Sequence, residues 1–200
     1  MKRSTFITLI GGAAASPLMA RAQQPAKMKR LAIVHPTTKA EDLSIGGDPD
    51  YTIILEDIKR LGYVEGVNLT VDRYSPEGRP ERFPEIAHQI VATRPDVIFA
   101  LADPVVLALQ SLTRTIPIVA WTGDPVLSGI VSNIARPGGN VTGVSIIVGS
   151  DFGGKLLQLF KDAVGKLSNV RELTTPAFWE NDPGYKLFRE TAERIRFLCN

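Results

Sequence analysis

The sequence predicts an α/β fold built on a parallel sheet, and three observations carry that expectation. Short continuous apolar runs, such as Val97-Ile98-Phe99-Ala100 and Ile118-Val119-Ala120-Trp121, lack the polar alternation of a half-solvated strand. Segments with apolar residues at helical spacing lie between such runs. The two kinds of segment alternate along the chain, which is the pattern of βαβ units. A sheet of this kind is covered on both faces, and right-handed crossovers place its strand-to-helix loops at one edge. That edge is where such folds bind ligands.

The elements follow in order. Residues 30–34 are a short apolar strand that stops at His35-Pro36. Residues 43–50 are a glycine-rich loop. Tyr51, Ile54, Leu55, Ile58 and Leu61 recur at helical spacing, and Gly62 ends the helix. Val67, Leu69 and Val71 alternate with polar residues as a strand does. Residues 80–93 read as a helix with Phe83, Ile86, Ala87, Ile90 and Val91 on its inner face. Residues 97–100 are a buried strand, 103–112 a helix, 118–121 the next strand and 125–134 a short helix. Arg136-Pro137-Gly138-Gly139-Asn140 is a tight turn, and 141–147 a further strand. Beyond Ser150 the pattern weakens. Residues 152–164 can be a helix, 170–174 form a poor strand interrupted by Arg171 and Glu172, and 183–198 look helical.

The N-terminus reads as a cleavable export signal. Lys2 and Arg3 precede an apolar, small-residue stretch over 6–19, and Ala20-Arg21-Ala22 supplies the small residues that a signal peptidase recognises. Cleavage is expected after Ala22. The stretch is too short to span a bilayer, which needs about 20 residues. Only Arg3 of a twin-arginine pair is present, which favours the general secretory route. The single cysteine, Cys199, allows no disulfide within the chain. No cysteine lies near the cleavage site to take a lipid, so no membrane anchor is expected. Cys199 itself reads as a small apolar residue of a helix or strand.

Charge is recounted on the exported product. Cleavage removes Lys2, Arg3 and Arg21 and no acid, so 23 basic residues fall to 20 against 21 acidic. This near-neutral balance gives no reason to expect nucleic acid or an anionic membrane as a partner. Of 200 residues, the 178 remaining suit one domain, or one and a part. The expected division is a signal peptide over 1–22, a polar linker over 23–29, an α/β lobe over 30–149, and a hinge crossing with the incomplete start of a second lobe over 150–200.

Four Asp-Pro pairs, at Asp48, Asp103, Asp124 and Asp182, each precede a predicted helix. Aspartate is a strong N-cap and proline favours the first helical turn, so the plain reading is that all four are caps. Two of them, Asp103 and Asp124, follow buried strands, which aims their helix N-termini at the binding edge. Exposed N–H groups there attract carboxylates and phosphates. Thr122 and Gly123 add a small hydroxyl and a position where a ligand can approach the backbone. Thr37, Thr38 and Ser145 end other strands on the same edge. Trp121 and Tyr51 could stack on an apolar ligand, although Trp121 also suits the core. His35 faces either the pocket or a loop, and a structural role is the plainer reading.

Enzyme signals are poor. Gly143-Val144-Ser145-Ile146-Ile147 lacks the second glycine of a nucleophile elbow. There is no dinucleotide fingerprint or phosphate-loop lysine. His35 and His88 have no metal-ligand spacing. Glu56 and Asp57 are expected on a solvated helix face. The sequence points to a binder rather than an enzyme, with no catalytic residue, metal or cofactor expected.

Several stretches resemble a known family. They are Phe6-Ile7-Thr8-Leu9-Ile10-Gly11-Gly12-Ala13-Ala14-Ala15, Ala20-Arg21-Ala22-Gln23-Gln24-Pro25 and Leu61-Gly62-Tyr63-Val64-Glu65-Gly66-Val67-Asn68-Leu69. The most specific runs from Ile116-Pro117-Ile118-Val119 through Gly123-Asp124-Pro125-Val126 to Arg136-Pro137-Gly138-Gly139-Asn140-Val141-Thr142-Gly143-Val144-Ser145. Over residues 1–165 the chain resembles bacterial ABC-transporter substrate-binding proteins of the tryptophan/tyrosine-binding type. The resemblance implies a type I periplasmic-binding-protein fold, with two Rossmann-like α/β lobes and a ligand in the cleft between them. It implies a periplasmic protein that delivers a small solute, such as an amino acid, to an inner-membrane ABC permease.

By the same resemblance the cleft positions are Thr37, Thr38, Ala102, Asp103, Thr122, Gly123, Asp124 and Ser145. Leu101-Ala102-Asp103-Pro104 departs from the small Gly/Thr-Pro loop usual there, and by the resemblance the second lobe is expected to be incomplete. One lobe offers half the contacts of a closing cleft, so this chain alone is expected to bind solute weakly or not at all. The alternatives are an exported sensor or partner-binding module, or an inactive truncated gene product.

Overall fold

The computed structural model describes residues 28–146, 152–164, 169–171, 183–194 and 198–199. The expected signal peptide, most of the linker, Asp182 and the Thr174 end of the expected late strand lie outside the described residues.

Five strands form an all-parallel sheet in the order β2-β1-β3-β4-β5. They are β1 (Lys29–Val34), β2 (Leu69–Tyr74), β3 (Val97–Leu101), β4 (Ile118–Thr122) and β5 (Val141–Ser145). Three helices accompany them: α1 (Pro49–Arg60), α2 (Phe83–Ala92) and α3 (Asp103–Leu112). The strand order reverses direction from β1, with β2 on one side and β3, β4 and β5 on the other.

Side chains alternate between two cores, as the period of a strand requires. Ala32 and Val34 of β1, Ile98 and Ala100 of β3, Ile118 and Ala120 of β4 and Val141 of β5 join Ile86, Ile90, Val106 and Leu109 of α2 and α3. The opposite faces of β1 and β2 place Leu31, Ile33, Leu69 and Val71 against Tyr51 and Leu55 of α1. Ile33, Ile98 and Ile118 are fully buried, each contributing about 1.5–3 kcal/mol of burial free energy.

The expected cover on both faces holds only for part of the sheet. On the α1 face, Val119 of β4 is 36% exposed and Val144 of β5 is 65% exposed. Their strands pair in register, with Val119 opposite Thr142 and Trp121 opposite Val144. Among the described residues no helix covers that corner.

Several element bounds differ from expectation. The second strand starts at Leu69, not Val67, because the Asn68 side chain closes a turn before it. Asn68 Oδ1 accepts the Val64 amide at 2.7 Å and its Nδ2 donates to the Gly62 carbonyl at 2.8 Å. Val67 is left 71% exposed. The expected helix over 80–93 is a 3-10 turn, Pro80–Arg82, followed by α2. Pro84 lacks an N–H, so it fits only the first turn of an α-helix, and α2 therefore begins at Phe83. Residues 125–134 are not a helix. Turns over 125–129 are held by Asp124, whose Oδ1 accepts the Val126 and Leu127 amides at 3.0 Å. The Gly129 amide then bonds back to the Val126 carbonyl at 3.1 Å and closes the turn. The last sheet strand, β5, is described over Val141–Ser145, and residue 147 of the expected strand lies outside the described residues.

Asn140 fixes where β5 begins. Its Nδ2 donates to the carbonyls of Ile116 at 2.7 Å and Thr113 at 3.3 Å, tying the Pro-Gly-Gly turn to the segment that leads into β4. The close pairing of β5 with β4 depends on Gly143. A Cβ there would lie 1.8 Å from the Ala120 carbonyl oxygen.

Further along, α4 (Phe152–Val164) and α5 (Pro183–Arg194) pack together, and the short β6 (Asn169–Val170) pairs in parallel with β7 (Leu198–Cys199). Of the expected helix over 183–198, Pro183–Arg194 is helical, Leu198 and Cys199 are in a strand, and 195–197 lie outside the described residues. Gly154 allows the close approach of the helices, since a Cβ there would be 3.0 Å from Thr191 Cγ2. Among the described residues no helix is long and apolar enough to cross a membrane.

Candidate functional site

The parallel register brings the ends of four strands to one edge. Val34 pairs with Ala100, Leu101 with Trp121, and Thr122 with Ser145. The residues just beyond those pairs are His35, Ala102 and Gly123. The expected site residues thus share the C-terminal edge of the sheet, where open α/β folds carry their ligand crevices.

Asp103, Gly123 and Ser145 are brought into direct contact. Asp103 Oδ1 accepts the Gly123 amide at 2.8 Å, and its Oδ2 accepts a short hydrogen bond from the Ser128 hydroxyl. Ser145 Oγ donates to the Gly123 carbonyl at 2.5 Å. Gly123 is thus gripped at both its N–H and its C=O, from two different strand ends.

Asp103 is not the cap that its Asp-Pro pairing suggests. Ala102 occupies the N-cap position of α3 and makes no side-chain cap bond. Asp103 sits one residue later, and its carboxylate reaches across to the loop after β4. The Asp48 side chain does cap α1, accepting the Asp50 amide at 3.0 Å and the Tyr51 amide at 3.4 Å. Asp124 caps its turn without starting a helix.

Ala102 has φ +81° and ψ 139°, a conformation costly for a residue with a Cβ. The strain is held by its backbone bonds. Its amide donates to the Trp121 carbonyl at 2.9 Å, and its carbonyl accepts the Val106 amide at 3.2 Å. Thr122 is only 4% exposed, and its hydroxyl reaches the Val144 carbonyl at 3.5 Å. Its side chain is therefore part of the frame rather than a surface group.

Thr37 and Thr38 occupy the same edge after β1. Their amides both donate to His35 Nδ1, at 3.1 and 2.8 Å. His35 thus faces its own loop, the structural alternative of the two that the sequence leaves open. The His35 ring meets Tyr51 edge-on, with centroids 5.8 Å apart, and Tyr51 meets Phe99 likewise at 5.9 Å. Tyr51 is only 2% exposed, so it does not stand as a stacking surface for a ligand. Its hydroxyl is buried with no hydrogen-bond partner among the described residues.

Burial holds the His35 imidazolium below its ordinary value of 6.5, against the pull of Asp48 and Asp50 toward the charged form. Burial raises the Tyr51 phenol well above its ordinary range, and Asp48 and Asp50 add to that rise. A mostly apolar groove of about 110 Å³ adjoins the Gly123 cluster, with Thr122, Ile130, Val141 and Ser145 in its walls. The Thr122, Ser128 and Ser145 hydroxyls and the Asp103 carboxylate are bonded to the backbone and to one another.

Two further groups join this edge, the Ser128 hydroxyl and the acceptor nitrogen of His35. Ser128 carries a weak signal in its spacing, four residues after Asp124. For His35 the signal is the His-Pro-Thr-Thr run, in which a ring nitrogen can cap the turn that follows it.

Comparison with known proteins supports the same picture. A family model described as "ABC transporter substrate binding protein" matches residues 47–197. A curated relative, the tyrosine-binding protein of Clostridioides difficile (strain R20291), is 32% identical over 110 residues. That match covers 54% of this chain and 31% of the relative. The solved structure of a conserved domain protein from Vibrio cholerae superposes with a TM-score of 0.69 at 28% identity, covering 86% of this chain and 56% of that one. A pneumococcal ABC domain in complex with L-Trp shares the fold, with a TM-score of 0.66 at 21% identity, covering 87% of this chain and 56% of that one. This chain therefore spans about half the length of these solved relatives and under a third of the curated one. The fold is that of the type I periplasmic-binding proteins.

Proposed function

Because this chain belongs to the ABC transporter substrate-binding protein family, we propose that its sheet edge forms one wall of a solute cleft. The solute is a small amino acid with an aromatic side chain. The names of relatives support that choice, since one is a tyrosine-binding protein and another was solved with L-Trp. Residues 30–149 make the wall, and 150–200 carry the crossing toward an opposing lobe. The protein is exported with cleavage after Ala22, works in the periplasm and hands its solute to an inner-membrane permease of an importer. It has no catalytic role.

The observation that carries this reading is the grip on Gly123 by Asp103 and Ser145. Three strand ends are locked into one surface at the edge where α/β folds place ligands. The wall acts through Thr37, Thr38, Ala102, Asp103, Thr122, Gly123, Asp124 and Ser145. The buried side chain of Thr122 and the internally bonded carboxylate of Asp103 shape the surface, while the backbone beside them meets the solute. Preorganisation of this kind lowers the ordering cost of binding.

Ligand-observed NMR tests the specificity. Saturation transfer from the chain to L-tryptophan and L-tyrosine is expected, with little transfer to L-lysine or L-glutamate at equal concentration. Equal transfer to all four, or none to the aromatic pair, would reject an aromatic amino acid as the solute.

A further inference from the structure

His35 is one of two histidines in the chain, and it is the one built into the ligand edge. Its Nδ1 accepts two backbone amides, Thr37 N–H at 3.1 Å and Thr38 N–H at 2.8 Å, and lies 3.5 Å from Thr37 Oγ1. A nitrogen that accepts two N–H bonds cannot also carry a proton. The geometry therefore requires a neutral ring with its hydrogen on Nε2. The ring is held from the other side by the edge-on contact with Tyr51 at 5.8 Å, and the His35 amide is fixed to the Tyr74 carbonyl at 3.2 Å.

We infer that His35 is a positioning residue for the ligand edge, its neutral imidazole folding the 37–38 turn into shape and its protonation releasing that turn. The inference rests on the reading of Thr37 and Thr38 as cleft residues. It also narrows what they can offer. Their amides are consumed by His35, so the turn presents side chains rather than N–H donors to a solute. A solute carboxylate finds no amide pair here.

The charged and titratable groups around the ring set the direction of its response. Asp48 and Asp50 lie at the start of α1 and favour the imidazolium, and Tyr51 is the aromatic neighbour on the same helix. On the β2 side the neighbour is Tyr74, which meets His35 through its carbonyl and whose ring packs with the opposite core. Burial outweighs the two carboxylates and keeps the ring below its ordinary 6.5. The folded chain thus binds this proton less readily than the unfolded chain. The turn is intact above 6.5, and it loosens as pH falls through the lower folded value.

NMR on the whole chain tests this, with exposed His88 as internal reference. At about pH 8 the ring-nitrogen shifts of His35 should show a bare Nδ1 and a protonated Nε2. Amide-exchange protection of Thr37 and Thr38, corrected for intrinsic rates, should fall about tenfold or more between about pH 8 and about pH 5. His35→Asn keeps an acceptor oxygen near the Nδ1 position and cannot titrate, so it should hold that protection at both pH values. His35→Ala should lose it at both. A proton on Nδ1, or wild-type protection that ignores pH, would overturn the inference, as would His35→Asn behaving like His35→Ala. L-tryptophan titrations of the same samples separate the two readings. If the tautomer and pH results hold while L-tryptophan leaves the 37–38 amides unmoved, the ligand reading falls and the histidine lock stands.

Discussion

Asp103 and Gly123 are 20 residues apart in sequence and joined by one hydrogen bond, 2.8 Å from the Gly123 amide to Asp103 Oδ1. That bond links the start of α3 to the loop after β4, and the second oxygen of the same carboxylate takes the Ser128 hydroxyl. Replacing Asp103 by Ala leaves a partly buried amide and a hydroxyl without their acceptor. The expected loss is about 1–3 kcal/mol in urea unfolding. Asp103→Asn keeps the oxygen for Gly123 and should lose less. Equal stability of Asp103→Ala and the wild type would remove the carboxylate from the frame.

Gly143 tolerates no side chain. A Cβ would sit 1.8 Å from the Ala120 carbonyl oxygen, inside the backbone of the neighbouring strand. Gly143→Ala is expected to separate β5 from β4 or prevent folding, a loss above about 3 kcal/mol. Gly139→Ala, which meets open space two residues before β5, should stay within about 0.5 kcal/mol. Thermal melts of the pair make the comparison.

Ala102 carries the opposite expectation. At φ +81° its Cβ is a burden, so Ala102→Gly should relieve strain. The gain is partly offset by the greater freedom of glycine in the unfolded chain, leaving a net stabilisation of up to about 1 kcal/mol. A clear loss of stability on denaturation would show that the backbone there is not strained.

Tyr51→Phe should also stabilise. The phenol oxygen is buried with no partner among the described residues, and removing it relieves about 1 kcal/mol of desolvation. The two aromatic contacts to His35 and Phe99 need only the ring. An unfolding midpoint lower than that of the wild type would mean the hydroxyl has a partner.

Acid sensitivity has a second source in Glu65. The paired hydrogen bonds from Arg73, both at 2.7 Å, hold its carboxyl below the ordinary 4.5, with the charge of Arg73 adding to the effect. The folded chain binds this proton less readily, so the contribution is full above 4.5 and declines as pH falls through the lower folded value. Glu65→Gln should flatten the stability profile on the acid side. An unchanged slope below 4.5 would exclude this pair as its origin.

Much of the sheet was legible because burial writes itself into composition. Val97-Ile98-Phe99-Ala100 and Ile118-Val119-Ala120-Trp121 are apolar on both faces, and both are inner strands. The α3 bounds were readable from Asp103-Pro104 at one end and Leu112 at the other. The loop over 125–134 was not, because Asp124-Pro125 signals a helix start while the turn closes after only five residues. Strand β2 was misplaced by two residues since Val67 continues the alternation, and only the Asn68 side-chain bonds reveal that it stands outside.

The site was legible as positions and not as roles. Loop ends on a parallel sheet can be listed from the strands alone, and Asp103, Gly123 and Ser145 do meet. That Asp103 reaches across rather than caps depends on Ala102 adopting a positive φ, which no residue preference foretells. The packing of Tyr51 under His35 is likewise a tertiary matter, since a tyrosine at a helix start fits a pocket or a core equally well.

The central claim, that the strand-end edge is the solute wall, is tested most directly by mapping backbone amide shifts of the whole chain as L-tryptophan is added. Shifts are expected to concentrate at residues 37–38, 102–103, 122–124 and 145, with the outer surfaces of α2 and α3 unchanged. Shifts centred on those helices, or none at the edge at saturating L-tryptophan, would contradict it.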